Sequence, residues 1–286
     1  MELLVQPDDG VGPTLAAIRN AKKSVDVHIF GLNVPEIEKA LADAVKRGVE
    51  VRTLIAHTAR GREKDLRKLE LRLLAIGATV SRSADDLLRY HGKIMIVDTK
   101  KLFVLAYNLT RNDIAHCRSL GIATRNRDVV EEARRVFEAD FDRRPYTGDC
   151  PSLLVSPVNA RKRLMAFLRK ARRELLIYGN VTDNACIRIL QERQKAGVVV
   201  RIIGKLEKGH EGVSAEKYPG KRMHLRAIVR DGKVAFVGSQ TLRKPELDAR
   251  REIGIMVKHA RIVKQIADVF ASDWAKTDAG KAEKAA

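Results

Sequence analysis

The stretch His91-Gly92-Lys93-Ile94-Met95-Ile96-Val97-Asp98 returns later in the chain as His224-Leu225-Arg226-Ala227-Ile228-Val229-Arg230-Asp231. In both copies the cation stands two residues after the histidine and the aspartate seven after it. The runs between are apolar and rich in β-branched residues, which predicts strands. Residues two apart on a strand share a face, so His91 and Lys93 can aim at one target, as can His224 and Arg226. An imidazole can attack phosphorus or protonate a leaving group, and a neighbouring Lys or Arg can hold phosphate oxygens. One such pair is an ordinary surface feature; two with one spacing imply a site that uses two histidines on a phosphate ester.

The repetition extends outward. Seven residues beyond each aspartate come Leu105-Ala106-Tyr107-Asn108 and Gly238-Ser239-Gln240-Thr241, and eleven beyond the end of each stand Ser119 and Glu252. Ser119 opens Ser-Leu-Gly-Ile and Glu252 opens Glu-Ile-Gly-Ile. Upstream, Leu4-Val5-Gln6-Pro7 matches Leu154-Val155-Ser156-Pro157, and Lys46-Arg47-Gly48-Val49 matches Lys195-Ala196-Gly197-Val198. The halves read as one unit written twice, and internal repeats of this kind define the architecture.

On these residues the chain resembles the phospholipase D superfamily over nearly its whole length. The family signature is His-x-Lys, four residues, Asp, then Gly-Ser-x-Asn and an acidic residue. The resemblance implies two α/β repeats with mixed β-sheets flanked by helices, related by a pseudo-two-fold axis, with one active site at their junction. It also implies a phosphohistidine on one histidine, with the other protonating the leaving group and then activating water or an alcohol. His91, Lys93, His224, Arg226 and Glu252 are the expected catalytic set, and Asn108 and Ser239 the expected phosphate ligands. Asp98 and Asp231, at strand ends, are expected to be structural, because turn aspartates bond local backbone.

The chain departs from that pattern in places. Arg226 replaces a lysine, keeping charge while changing geometry. The first half has Leu105 and Ala106 for Gly-Ser but keeps Asn108; the second keeps Gly238 and Ser239 but has Thr241 for Asn. By position in the repeat, Glu252 is expected to orient His224, and Ser119 leaves His91 without a carboxylate. The better-supported histidine would then be His224, whereas the resemblance favours the first as nucleophile; the assignment stays open. No metal or cofactor is implied.

Alternating elements place strands at 24–30, 49–55, 175–179 and 198–203 and helices at 14–22, 35–47, 158–171 and 184–196, an order that demands parallel strands with crossover helices. The pieces 101–105 and 233–237 follow the motif strands too closely for a crossover and predict antiparallel hairpins. Helices at 128–143 and 260–274 close the two halves. The first repeat is expected to span 1–147 and the second 148–276, joined through the proline- and glycine-punctuated stretch at 144–151, with 277–286 a flexible tail. Between the third strand and His91 the first half carries an extra segment, 62–76, with Leu66, Leu69, Leu73 and Ile76 at helical spacing; core packing is expected, with a membrane-lying surface the lesser reading. The matching segment 205–223, with His210 and Tyr218, is expected to rim the site. His28, His57, His116 and His259 have no motif partner and read as structural.

The 286 residues are 45% hydrophobic, enough for a substantial core. Cys117, Cys150 and Cys186 share no short metal spacing and read as reduced thiols of an intracellular compartment. No secretory leader or membrane span is evident, so the expected location is cytoplasmic, or peripheral at a membrane. The net charge of +19 attracts polyanions, either anionic lipid or nucleic acid. Three functions follow: a phosphodiesterase or phosphatidyltransferase acting on phospholipid head groups; a metal-independent nuclease, disfavoured by an aromatic content of 5% that leaves few stacking platforms; and a non-catalytic polyanion-binding module. Because one chain holds both histidines, a monomer suffices.

Overall fold

The computed structural model describes residues 1–58, 61, 63–207, 212–220 and 222–285. The first half runs β1 (Glu2–Gln6), α1 (Gly12–Arg19), β2 (Ser24–His28), α2 (Pro35–Lys46), β3 (Glu50–Ile55), α3 (Glu63–Ala75), β4 (Thr79–Arg82), β5 (Arg89–Tyr90), β6 (Ile94–Val97), β7 (Lys101–Leu105), α4 (Arg111–His116), β8 (Ser119–Thr124) and α5 (Arg127–Phe141). The second runs β9 (Leu153–Val155), α6 (Ala160–Arg169), β10 (Glu174–Tyr178), α7 (Asn184–Lys195), β11 (Val199–Ile203), β12 (Ala227–Arg230), β13 (Val234–Gly238), α8 (Lys244–Asp248), β14 (Arg250–Arg251), β15 (Ile253–Val257), α9 (Ala260–Trp274) and α10 (Asp278–Ala285).

Each half builds one mixed sheet. The orders are β1-β8-β7-β6-β2-β3-β4 and β11-β10-β12-β13-β15-β9. Strands joined by crossover helices are parallel, β2 with β3 and β10 with β11. The motif strands β6 and β12 fold back antiparallel onto β7 and β13, as hairpins. Those hairpins turn at Asp98 and Asp231, whose φ of 53° and 57° is a left-handed conformation that aspartate tolerates better than most residues. The Asp98 carboxylate accepts from the backbone N–H of Lys22, Lys23 and Ser24, at 2.6 Å from Lys23, so it ties the hairpin to the start of β2. Asp231 does the same with Arg172, Arg173 and Glu174 at the start of β10.

The two halves share their interior. One apolar cluster takes Ile94, Ile96, Leu102 and Val104 from the first sheet and Ala227, Val229, Val237 and Ile255 from the second. It is completed by Val136 and Phe137 of α5 and Ile266 and Phe270 of α9. Alternate residues of the same strands face outward: Met95 and Phe103 pack under α1 and α2, and Ile228 and Phe236 under α6 and α7. The inner cluster makes the halves one packed unit, because either half alone would expose an apolar sheet face. In the connecting stretch Tyr146 is buried and its hydroxyl donates to Glu132.

The end of the chain differs from the flexible tail expected at 277–286. Residues 278–285 form α10, and Glu283 accepts from Arg201 at 2.9 Å and from the Trp274 indole at 3.2 Å. A run of Ala, Lys and Glu is helix-forming wherever a few contacts pin it.

Candidate active site

The site is assembled where the halves exchange short backbone segments. Strand β5 pairs in parallel with β14, Arg89 opposite Arg250 and Tyr90 opposite Arg251, and the His91 N–H donates to Arg251 O at 2.7 Å. That register sets His91 beside Glu252, and Nδ1 of His91 lies 3.0 and 3.1 Å from the two carboxylate oxygens of Glu252. The mirror pairing joins Arg118 to Met223 and places the His224 N–H on Arg118 O at 3.1 Å. His224 therefore lies beside Ser119, whose hydroxyl donates to His224 O at 2.6 Å. The expectation that Glu252 orients His224, leaving His91 unsupported, is thus corrected: the acidic position of each repeat serves the histidine of the other. Repeat position could not reveal this, because the pairing that decides it runs between halves.

His224 has a carboxylate of its own, which the sequence reading missed. Asp113, in the first turn of α4, accepts from Nδ1 of His224 at 2.8 Å. The same Asp113 oxygen accepts from the Asn108 backbone N–H at 3.0 Å and its side-chain amide at 2.9 Å. Thr110 caps α4 by accepting from the Asp113 N–H, which fixes the helix start and with it the carboxylate. A signal was available: Asp113 follows Asn108 by five residues, as Glu246 follows Thr241. Glu246 spends its carboxylate within its own half, accepting from Thr241 N at 2.7 Å and from the Thr241 hydroxyl.

The remaining expected residues fall in different places. His91, His224 and Asn108 line one pocket of about 490 Å³, together with Phe30, Arg222 and the inner side of α3. The His91 ring meets Phe30 edge-on at 4.9 Å. Lys93 is fully buried and its ammonium donates to His91 O at 2.6 Å, with two further N–H donors. Arg226 reaches across the halves to donate to Ala106 O at 3.3 Å. Ser239 is completely buried, and its hydroxyl oxygen accepts from Ile253 N at 3.0 Å, so it holds the β13–β15 corner. Gly238 is needed there because a Cβ would stand 2.5 Å from Gly254 Cα in the neighbouring strand. Of the segment expected to rim the site, Arg222 lines the pocket, Tyr218 packs on the central core, and His210 lies outside the described residues.

Burial shapes the proton affinities. Desolvation, reinforced by Lys93 and Arg226, drives His91 well below its ordinary value, so its imidazole is neutral near pH 7. With Nδ1–H directed at Glu252, the lone pair is on Nε2. Burial also lowers His224, but the hydrogen bond and charge of Asp113 oppose it. Burial would raise Asp113, yet its bonds to His224 and Asn108 outweigh this and hold it below the usual carboxylate range. Lys93 is brought down to about 7 by burial, with Glu252 working against the shift. Glu252 is raised by burial, against Lys93, Ser239 and Arg226. Both histidines are thus lowered by burial, and they differ in their carboxylates: Asp113 beside His224 is held below its usual range, whereas Glu252 beside His91 is raised.

A buried ion pair braces this corner. Arg251 lies 3.0 Å from Asp140 of α5, donates to Ser156 O at 3.1 Å, and stacks over Tyr90 at 5.6 Å. It anchors β14, the strand that ends just before Glu252. Behind Gly92, His28 is buried with its pKa lowered to about 3 by burial and the nearby Lys93, so it packs as a neutral ring.

Fold and site together define the phospholipase D class of duplicated α/β proteins. The chain belongs to the family described as "Cardiolipin synthase, PLD-like domain", which matches residues 14–141 and 205–274. No curated protein matches it in sequence. Polyphosphate kinase from Porphyromonas gingivalis superposes with a TM-score of 0.77 at 18% identity, over 94% of this chain and 49% of that one. This chain therefore spans about half the length of that kinase. Phosphatidylserine synthase from Haemophilus influenzae Rd KW20 gives a TM-score of 0.71 at 10% identity, over 94% of this chain and 84% of that one. At such identities the likeness is one of fold.

Proposed function

We propose that this protein is a phosphodiesterase or phosphatidyltransferase that acts on phospholipid head-group esters through a phosphohistidine on His91. The observation that carries the chemistry is the pair of histidines in one pocket, each tied through Nδ1 to a carboxylate of the opposite half. Neutral His91 attacks phosphorus through Nε2 while the bond to the head-group oxygen breaks. Protonated His224 gives its proton to that oxygen. The phosphorylated imidazole, still bearing its Nδ1 proton, is cationic and is stabilised by Glu252. His224, now neutral, takes a proton from water or an acceptor alcohol, whose oxygen attacks phosphorus and expels His91 unchanged. Lys93 and Arg226 are the donors for the non-bridging phosphate oxygens, whose charge favours the protonated form of Lys93 on binding.

The choice of lipid rests on the family description and on the surplus of positive charge. The test is head-group release from short-chain phosphatidylglycerol in EDTA, with His91→Ala as control and a single-stranded oligonucleotide as competing substrate. Release that disappears in His91→Ala supports the reading. Cleavage of the oligonucleotide alone would replace lipid with nucleic acid, and turnover in His91→Ala would overturn the mechanism.

A further inference from the structure

Leu71 and Leu74 are the most exposed large apolar side chains among the described residues, at 56% and 51%. Both lie on α3, whose other face buries Leu66, Leu69 and Leu73 in the outer core of the first half. At 100° per residue the two exposed leucines share the outer face of α3 with Lys64, Arg67 and Lys68, all exposed. Lys64 and Lys68 have no ion-pair partner among the described residues, and Glu70, which also feels the charge of Arg67, is bound to Arg82 at 2.5 Å. The second half shows no counterpart of α3 among its described residues between β11 and β12, so the repeat does not require this helix. The opposite flank of α3 is a wall of the histidine pocket, through Asp65, Leu66, Leu69 and Arg72, and Lys68 belongs to both flank and outer face.

We propose that the outer face of α3 is a docking surface for an anionic lipid bilayer. Leu71 and Leu74 enter the boundary between head groups and acyl chains, and Lys64, Arg67 and Lys68 meet lipid phosphates. Docking carries the pocket wall formed by α3 to the head-group layer. A second copy of the chain fits this face poorly: pairing would bring like charges together, and two leucines fall far short of the roughly 1,000 Å² of a specific protein interface. A nucleic acid would use the cations but would leave the leucines in water. The biological meaning of the surface rests on the lipid reading above, but its existence is measured without turnover.

The experiment is sedimentation with vesicles of phosphatidylglycerol and phosphatidylcholine at about 0.15 M salt, which screens charges more than about 8 Å apart and leaves close contacts with lipid phosphates. Wild-type protein is expected to bind phosphatidylglycerol vesicles and leave pure phosphatidylcholine vesicles in the supernatant. Leu71→Ser/Leu74→Ser, at two exposed positions outside the pocket lining, is expected to bind at least tenfold more weakly while turning over monomeric short-chain phosphatidylglycerol at the wild-type rate. Vesicle binding equal to wild type in that variant, or no binding by the wild type, would overturn the proposal. So would a wild-type dimer that the double substitution makes monomeric, because the face would then belong to a second copy. Failure of the short-chain substrate to react in the wild type would count against the lipid enzyme and leave the vesicle result to judge α3.

Discussion

Nδ1 of His91 lies 3.0 Å from the carboxylate of Glu252, a residue of the opposite half brought there by the parallel pairing of β5 with β14. The contact fixes the tautomer of His91 and balances the positive charge its ring acquires on phosphorylation. Glu252→Gln keeps the shape but offers an amide that stabilises the wrong tautomer. Turnover is expected to fall by about 10²- to 10⁴-fold with little change in KM. Steady-state kinetics on a soluble diester checks it, and an unchanged kcat would remove Glu252 from the mechanism.

Asp113 holds the same relation to His224, at 2.8 Å, but supports a proton donor. Asp113→Asn is expected to slow esters of poor leaving groups by about 10²-fold or more, while a nitrophenyl ester, which needs no protonation to depart, forms the intermediate at near the wild-type rate. Equal losses on both substrates would show that Asp113 acts by another route.

The pH profile follows from the directions of the two shifts. His91 must be neutral, and its lowered pKa makes it so over most of the accessible range. His224 must be protonated, and its lowered pKa places the loss of activity with rising pH below its ordinary value of 6.5 in the free protein. The descending limb of kcat/KM is therefore expected on the acid side of 6.5. Because Asp113 raises His224, Asp113→Asn should move that limb to still lower pH. A limb that stays in place would separate it from His224.

Ser119 occupies, beside His224, the place that Glu252 occupies beside His91. Installing the missing carboxylate should restore function to a protein that has lost Asp113. The expected outcome is that Asp113→Ala/Ser119→Glu regains at least tenfold over Asp113→Ala, read as kcat on the same soluble diester. No recovery in a folded double variant would show that the two positions are not interchangeable.

The buried Asp140–Arg251 pair ties α5 of the first half to β14, which ends just before Glu252. Asp140→Ala leaves a buried guanidinium without its counter-charge and is expected to cost about 3–5 kcal/mol of stability. Denaturant unfolding measures it; a change below about 1 kcal/mol would mean that Arg251 finds other partners.

The paired motifs made both histidines, both cations and the duplicated architecture legible. Apolar, β-branched runs at β6 and β12, and hairpins too short for crossovers, gave mixed sheets. Glu252 was found, but its partner was assigned within its own half. Local pattern and repeat position describe each unit separately, whereas β5 with β14, and Arg118 with Met223, pair segments far apart in sequence. Asp113 escaped notice because the helix that aims it is only six residues long and carries no apolar periodicity. Ser239 matched a motif letter, yet it is completely buried, where its hydroxyl accepts from Ile253 N and acts on Glu252.

The central claim is a phosphoryl group carried on His91 and released with the help of His224. The most direct measurement is mass spectrometry of acid-protected peptides from His224→Ala after mixing with a nitrophenyl phosphodiester in EDTA. Formation of the intermediate then needs no general acid, while its hydrolysis lacks a base, so an adduct should accumulate on the peptide containing His91. An adduct on any other residue of that variant, or continued turnover by His91→Ala, would contradict the claim.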